Sequence, residues 1–153
     1  LESAVFGLPS GVGEPFFDSA ESRLSHILFS IPGIKGVEFG AGFSISDMIG
    51  SVANDALYTD GEKVYTKTNN AGGINGGITN GMDIVFRTAF RPTPTIPKEQ
   101  ETVDYVNLTN VALASKGRHD PCIVHRARIV VDSVTALVIA DMLIGKYGNG
   151  FFA

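Results

Sequence analysis

The chain has 153 residues, of which 44% are hydrophobic and 18% charged. That sets an expectation of one domain, residues 1–153, and excludes intrinsic disorder, which needs low hydrophobicity with high net charge. A formal net charge of −4 is the wrong sign for a nucleic-acid surface. The single cysteine, Cys122, excludes an internal disulfide and fits a reducing, cytoplasmic compartment.

In chain order, Gly7–Gly13 (GLPSGVG) reads as a turn-rich loop, and Pro15 suits the first turn of a helix. Phe17, Ala20, Leu24, Ile27, Leu28 and Ile31 recur at helical spacing, with Asp18, Glu21, Ser22 and Arg23 facing away. Pro32-Gly33 ends that helix. Val37 and Phe39 flank Glu38 in a short strand closed by Gly40 and Gly42. A short helix is predicted over Asp47–Ala53, a turn at Asp60-Gly61 and a strand over Val64–Lys67.

Thr68–Gly81 (TNNAGGINGGITNG) carries five glycines between Gly72 and Gly81. Met82–Arg91 alternates as a strand, with Ile84, Phe86 and Phe90 on one face and Arg87 and Arg91 on the other. Arg91–Pro97 (RPTPTIP) is a stiff extended loop, because each proline also biases its predecessor toward extended backbone. A further strand is expected over Thr102–Leu108, then a polar loop, Lys116–Cys122. A long helix follows from Ala127 to Lys146. That helix is apolar on most faces and reads as buried between layers. Its apolar tract, Ile129–Ile144, is broken by Asp132, Ser133, Thr135 and Asp141, whereas a membrane span needs about 20 nearly uncharged residues. No signal peptide is visible. The order helix, strands, helix predicts an α+β fold, an antiparallel sheet with packed helices.

Phosphate-loop, nucleophile-elbow and dinucleotide motifs are absent. His119, Cys122 and His125 lack the fourth ligand of a structural zinc site, so no metal is expected. Asn107-Leu108-Thr109 matches a glycosylation acceptor, which without a secretory signal reads as chance. The glycine run is either a bulged connector or a place where unshielded backbone N–H groups approach a flat or anionic ligand. Arg91–Thr95 is either a rigid connector or a preorganised wall with one cation and two hydroxyls. Gly117–Pro121 is either a helix-start turn, with Asp120 near the cap, or an anion site carrying Arg118.

Together these segments resemble one family. Ser30–Gly40 (SIPGIKGVEFG), Thr68–Gly81, Arg91–Thr95 and GRHDPC (Gly117–Cys122) occur in the order found in chorismate synthase, and Gly7–Pro15 and the closing helix fit it as well. The resemblance covers essentially the entire chain, and the run GRHDPC is highly specific. It implies a part of that family's β-α-β sandwich. It also implies an anti-1,4-elimination of phosphate from 5-enolpyruvylshikimate 3-phosphate, giving chorismate, with reduced FMN as cofactor.

Residue by residue, the resemblance assigns flavin contacts to Pro32, Gly33, Gly76, Arg91, Pro92, Thr93, Pro94, Thr95 and Arg118. Arg118 is also assigned to the substrate, and Asp120 is the acidic catalytic residue beside the flavin. Lys often stands where Arg91 does, a small or polar residue where Pro32 does, and Pro where His125 does. Family members are more than twice this long, and the two catalytic histidines and several substrate arginines of their N-terminal half have no counterpart here. The resemblance therefore implies the C-terminal portion of a cytoplasmic homotetramer, inactive alone, with apolar surface left for the missing half. Two other readings share the same residues: a non-catalytic flavin- or phosphate-binding module, and a scaffold whose glycines only bend the backbone.

Overall fold

The computed structural model describes residues 1–152. Its strands are β1 (Glu2–Val5), β2 (Ile34–Phe39), β3 (Leu57–Thr59), β4 (Val64–Thr66), β5 (Ile74–Asn75), β6 (Ile78–Thr79), β7 (Ile84–Phe90), β8 (Gln100–Asp104) and β9 (Thr109–Leu113). The helices are α1 (Ala20–Phe29), the single-turn α2 (Gly50–Ala53) and α3 (Val124–Tyr147).

β7 is the centre of the main sheet, with β1 and β2 antiparallel on either side. Its alternation is the one its sequence dictates. Ile84, Phe86 and Thr88 are buried, while Arg87 and Ala89 are exposed. Phe86 meets Phe39 of β2 with ring centroids 5.9 Å apart. The other strands form three separate hairpins, β3–β4, β5–β6 and β8–β9. This is an α+β fold with antiparallel sheets, as the sequence predicts.

α1 and α3 lie over the buried face of the sheet and contribute Leu24, Leu28, Val131, Val138, Ile139, Met142 and Leu143 to one core with Ile84 and Phe86. Each fully buried aliphatic side chain there adds about 1.5–3 kcal/mol. The helices run antiparallel. Arg23, near the start of α1, pairs with Asp141 late in α3, and Lys146 donates to the carbonyl of Gly11. Ile123, just before α3, reaches Gly33, just after α1. No helix among the described residues is long and apolar enough to cross a membrane.

Three elements differ from their sequence expectations. α1 begins at Ala20, not at Phe17, because Phe16 has a positive φ of 62° and Ser19 is the cap, its Oγ accepting the Ser22 amide at 3.1 Å. Phe17 therefore sits outside the helical register and is 92% exposed. The predicted strand over Thr102–Leu108 is instead the end of β8 and the turn that leads into β9. The Asp104 carboxylate accepts the amides of Val106 and Asn107 and the Asn107 side chain, folding the chain back on itself. Those bonds, the Asn107 side chain first, hold the Asp104 carboxyl below its ordinary value. α3 is not enclosed: Val131, Val138 and Met142 are buried, whereas Ile129, Leu137 and Ile144 are exposed. The sheet covers only one side of it.

Candidate functional site

Gly33 is where three distant segments meet. Its carbonyl accepts the amide of Arg91 at 2.8 Å, tying the α1–β2 turn to the end of β7. A Cβ built on Gly33 would stand 3.3 Å from Ile123 Cδ1 and 3.9 Å from Arg91 Cγ, at a φ of +97°. Only glycine combines that backbone conformation with that close approach. Pro32-Gly33, Arg91–Thr93 and the entry to α3 are thereby gathered at one end of the molecule.

A cleft of about 490 Å³ opens there, between Pro92, Thr93, Ile96 and Pro97 on one wall and Gly117, His119, Asp120 and Pro121 on the other. That volume lies within the usual range for small-molecule sites. The hairpin β8–β9 joins the two walls, and Gln100 of β8 holds the carbonyl of Pro94 at 3.3 Å. Thr93 Oγ1 is buried and has no hydrogen-bond partner among the described residues. An orphaned buried hydroxyl is costly unless something else satisfies it. His119 Nε2 lies 3.3 Å from the carbonyl of Ser115. Asp120 Oδ2 is paired with the guanidinium of Arg126, in the first turn of α3. Among the described residues, no group of three His, Cys, Asp or Glu is arranged to hold a metal ion.

Of the residues singled out from sequence, Pro92, Thr93 and Asp120 line this cleft. Gly33 and Arg91 are joined behind it. Pro32, Pro94, Thr95 and Arg118 are exposed around it in the same segments. Asp120 is not the cap of α3: the N-cap is Ile123, with no side-chain cap, and the helix starts at Val124, well past Pro121.

Gly76 lies elsewhere. It turns the β5–β6 hairpin at a φ of +58°, and a Cβ there would meet nothing within 4 Å. The neighbouring Gly77 carbonyl accepts the amide of Ala20 at the start of α1, at 2.9 Å. The hairpin adjoins the Ile84 end of β7, whereas the cleft adjoins its Phe90 end. Seven residues of strand at about 3.3 Å each put roughly 20 Å between the two.

Sequence reasoning missed the group that shapes the glycine segment. Asp55 accepts the Thr68 hydroxyl at 2.6 Å and the Asn70 and Ala71 amides at 2.8 Å each. Burial would raise the Asp55 carboxyl, but the bonds from Thr68, Ala71 and Asn70 outweigh it and hold the group below its ordinary value. Asn70 in turn donates to the carbonyls of Val52 and Ala53. Gly40 packs so closely on Asn70 and Gly72 backbone that a side chain there would overlap both. Asp55 and its partners are more than a dozen positions apart, so no local motif announces them. Arg126 was likewise passed over, and only its pairing with Asp120 could have marked it, whereas His119 was weighed only as a metal ligand.

Residues 1–144 match the family model described as chorismate synthase. The chain is 50% identical over 141 residues to the chorismate synthase of Korarchaeum cryptofilum, covering 92% of this chain and 39% of that protein. It is 49% identical to the chorismate synthase of Chitinophaga pinensis, covering 99% of this chain and 46% of that one. A solved structure, described as the crystal structure of chorismate synthase, superposes with a TM-score of 0.76 at 31% identity. That match covers 96% of this chain and 37% of the solved one. The chain thus spans less than half the length of these relatives.

Proposed function

The chain belongs to the chorismate synthase family, and from that premise we propose that it is the C-terminal portion of an enzyme with chorismate synthase activity. The reaction is the anti-1,4-elimination of phosphate and a proton from 5-enolpyruvylshikimate 3-phosphate, with reduced FMN. The observation that carries this reading is the cleft beside the Gly33–Arg91 junction, whose lining includes both Thr93, with its orphaned hydroxyl, and Asp120.

The residues present fit a flavin mononucleotide. The cleft has the volume for part of such a ligand, Thr93 Oγ1 lacks a partner, and two guanidiniums, Arg91 and Arg118, stand in its bordering segments. Pro32, Gly33 and Pro92–Thr95 would hold the ligand with backbone groups and hydroxyls. Arg91 and Arg118 would neutralise phosphate through planar, two-pronged hydrogen bonds. When bound, reduced flavin lends electron density to the departure of phosphate. Arg118 also meets the substrate's negative charge, a preorganised electrostatic contribution of the kind that dominates in water-poor sites. Asp120 acts as the acidic group that holds or moves a proton at its carboxylate. Gly76, distant from this cleft within one chain, offers a second flavin-facing surface at the unobstructed tip of β5–β6. On this reading, by its likeness to the family, the enzyme is a cytoplasmic homotetramer.

The rest of a family-length protein supplies the two histidines and further arginines for the substrate. The exposed side of α3, with Ile129, Leu137 and Ile144, is apolar surface for that half. The test is phosphate release and chorismate formation with reduced FMN and substrate, measured on the complete enzyme and on the 153-residue chain. Turnover is expected only from the complete enzyme. Comparable turnover by the 153-residue chain would overturn the reading as a portion, and none by the complete enzyme would overturn the activity.

A further inference from the structure

Asp120 stands in a loop without regular structure, and its backbone alone does not fix where the carboxylate points. What fixes it is on another element. Arg126 sits in the first turn of α3, and its guanidinium takes Asp120 Oδ2, leaving Oδ1 unengaged by any hydrogen bond in the described residues. A helix is a rigid mount and a polar loop is not, so the helix-borne cation sets the position of the loop-borne anion.

Stability does not account for this pair. The Arg126 side chain is 70% exposed and that of Asp120 is 54% exposed, and pairs so open to water contribute little to folding. A cation in the first turn also opposes the helix dipole, and that turn of α3 holds no acidic residue to offset it. Arg126 is thus poorly placed as a helix stabiliser and well placed as a partner for Asp120. Arg118 and His119 share the loop with Asp120, and His119 Nε2 lies against the Ser115 carbonyl and not against the carboxylate.

We propose that Arg126 is the positioning residue of the acidic group: it holds Asp120 against the cleft with one oxygen and leaves the other free for the reaction. This rests on the role given to Asp120 above. Arg126 does not line the cleft, so it acts on the proton-handling step through Asp120 and not on ligand binding.

The experiment is a double-mutant cycle in the complete enzyme, with kcat, KM for 5-enolpyruvylshikimate 3-phosphate, FMN affinity and melting temperature read on each preparation. Arg126→Gln should lower kcat by about 10–100-fold, the scale of a small misplacement of a reacting group. KM and FMN affinity should stay within about twofold of the parent, since uniform binding is untouched. Arg126→Lys should recover part of kcat, because an ammonium keeps the charge but not the planar fork. In an Asp120→Asn background, Arg126→Gln should cost nothing further. Unchanged kcat in Arg126→Gln, or an equal loss in both backgrounds, overturns the proposal. Normal turnover by Asp120→Asn alone overturns the role of Asp120 itself, whatever the Arg126 variants do. Should Arg126→Gln lower the melting temperature, the Lys variant carries the test: full-length stability with kcat still below the parent supports positioning, and parental kcat overturns it.

Discussion

The amide of Arg91 donates to the carbonyl of Gly33 at 2.8 Å, joining the end of the central strand to the turn that follows α1. This one bond brings together two segments proposed to contact the flavin, and a Cβ at Gly33 would press on Ile123 at 3.3 Å at a backbone φ of +97°. Gly33→Ala should therefore destabilise the chain by about 1–2 kcal/mol, the cost of an L side chain in that conformation. Urea unfolding of the two proteins measures the difference, and FMN affinity in the complete enzyme should fall with it. A fully stable Ala variant would show that the turn relaxes freely.

Asp55 ties the glycine segment to the loop before β3 through bonds that favour its ionised form. Its folded-state pKa is depressed, so its contribution is fully present above the unfolded value, about 3.9, and is lost as pH falls through the lower folded value. Acidification below about pH 4 should thus lower stability. Asp60 and Asp104 are shifted in the same direction, so the informative quantity is the parent minus Asp55→Asn. The unfolding midpoint, followed from neutral to acid pH, should show a gap between the two that narrows as the parent titrates. A gap constant at every pH would assign Asp55 a purely steric role.

Asp120 caps no helix, so replacing it by Asn should leave the fold nearly untouched, at about 0–1 kcal/mol for an exposed ion pair. Chorismate formation by the complete enzyme should nevertheless fall by about 10²–10⁴-fold, the range for a positioned acid–base group. Single-turnover kinetics and FMN titration on the same preparation separate chemistry from binding. Turnover at the parental rate would remove Asp120 from the reaction.

Arg118 is exposed and outside the walls of the cleft in this chain. If it meets a phosphate that becomes desolvated on binding, Arg118→Ala should weaken that ligand by about 2–5 kcal/mol, because the anion is left unpaired. Arg118→Lys should restore only part of the loss. Isothermal titration of FMN and of substrate assigns the effect to one ligand or the other. Complete recovery with Lys would reduce the role of Arg118 to that of a point charge.

The elements legible in the sequence are those whose signal is local. β7 announces itself by alternation, the long helix by its apolar density, and the turn at Asp60-Gly61 by its residue types. The family, and with it the positions of Gly33, Arg91–Thr95 and Arg118–Asp120, was carried by contiguous motifs such as GRHDPC. Phe17 misled because periodicity cannot see that a positive φ at Phe16 breaks the register one residue earlier. β9 was missed because a carboxylate, Asp104, rather than a glycine pair, makes the reversal. What only the tertiary structure decided is which distant residues are neighbours. Gly33 adjoins Arg91 and Ile123, Asp55 grips Asn70 and Ala71, Arg126 holds Asp120, and Gly76 stands a strand's length from the cleft. These relations depend on sheet register and helix packing, which are set by burial of the whole core and not by any short stretch of chain.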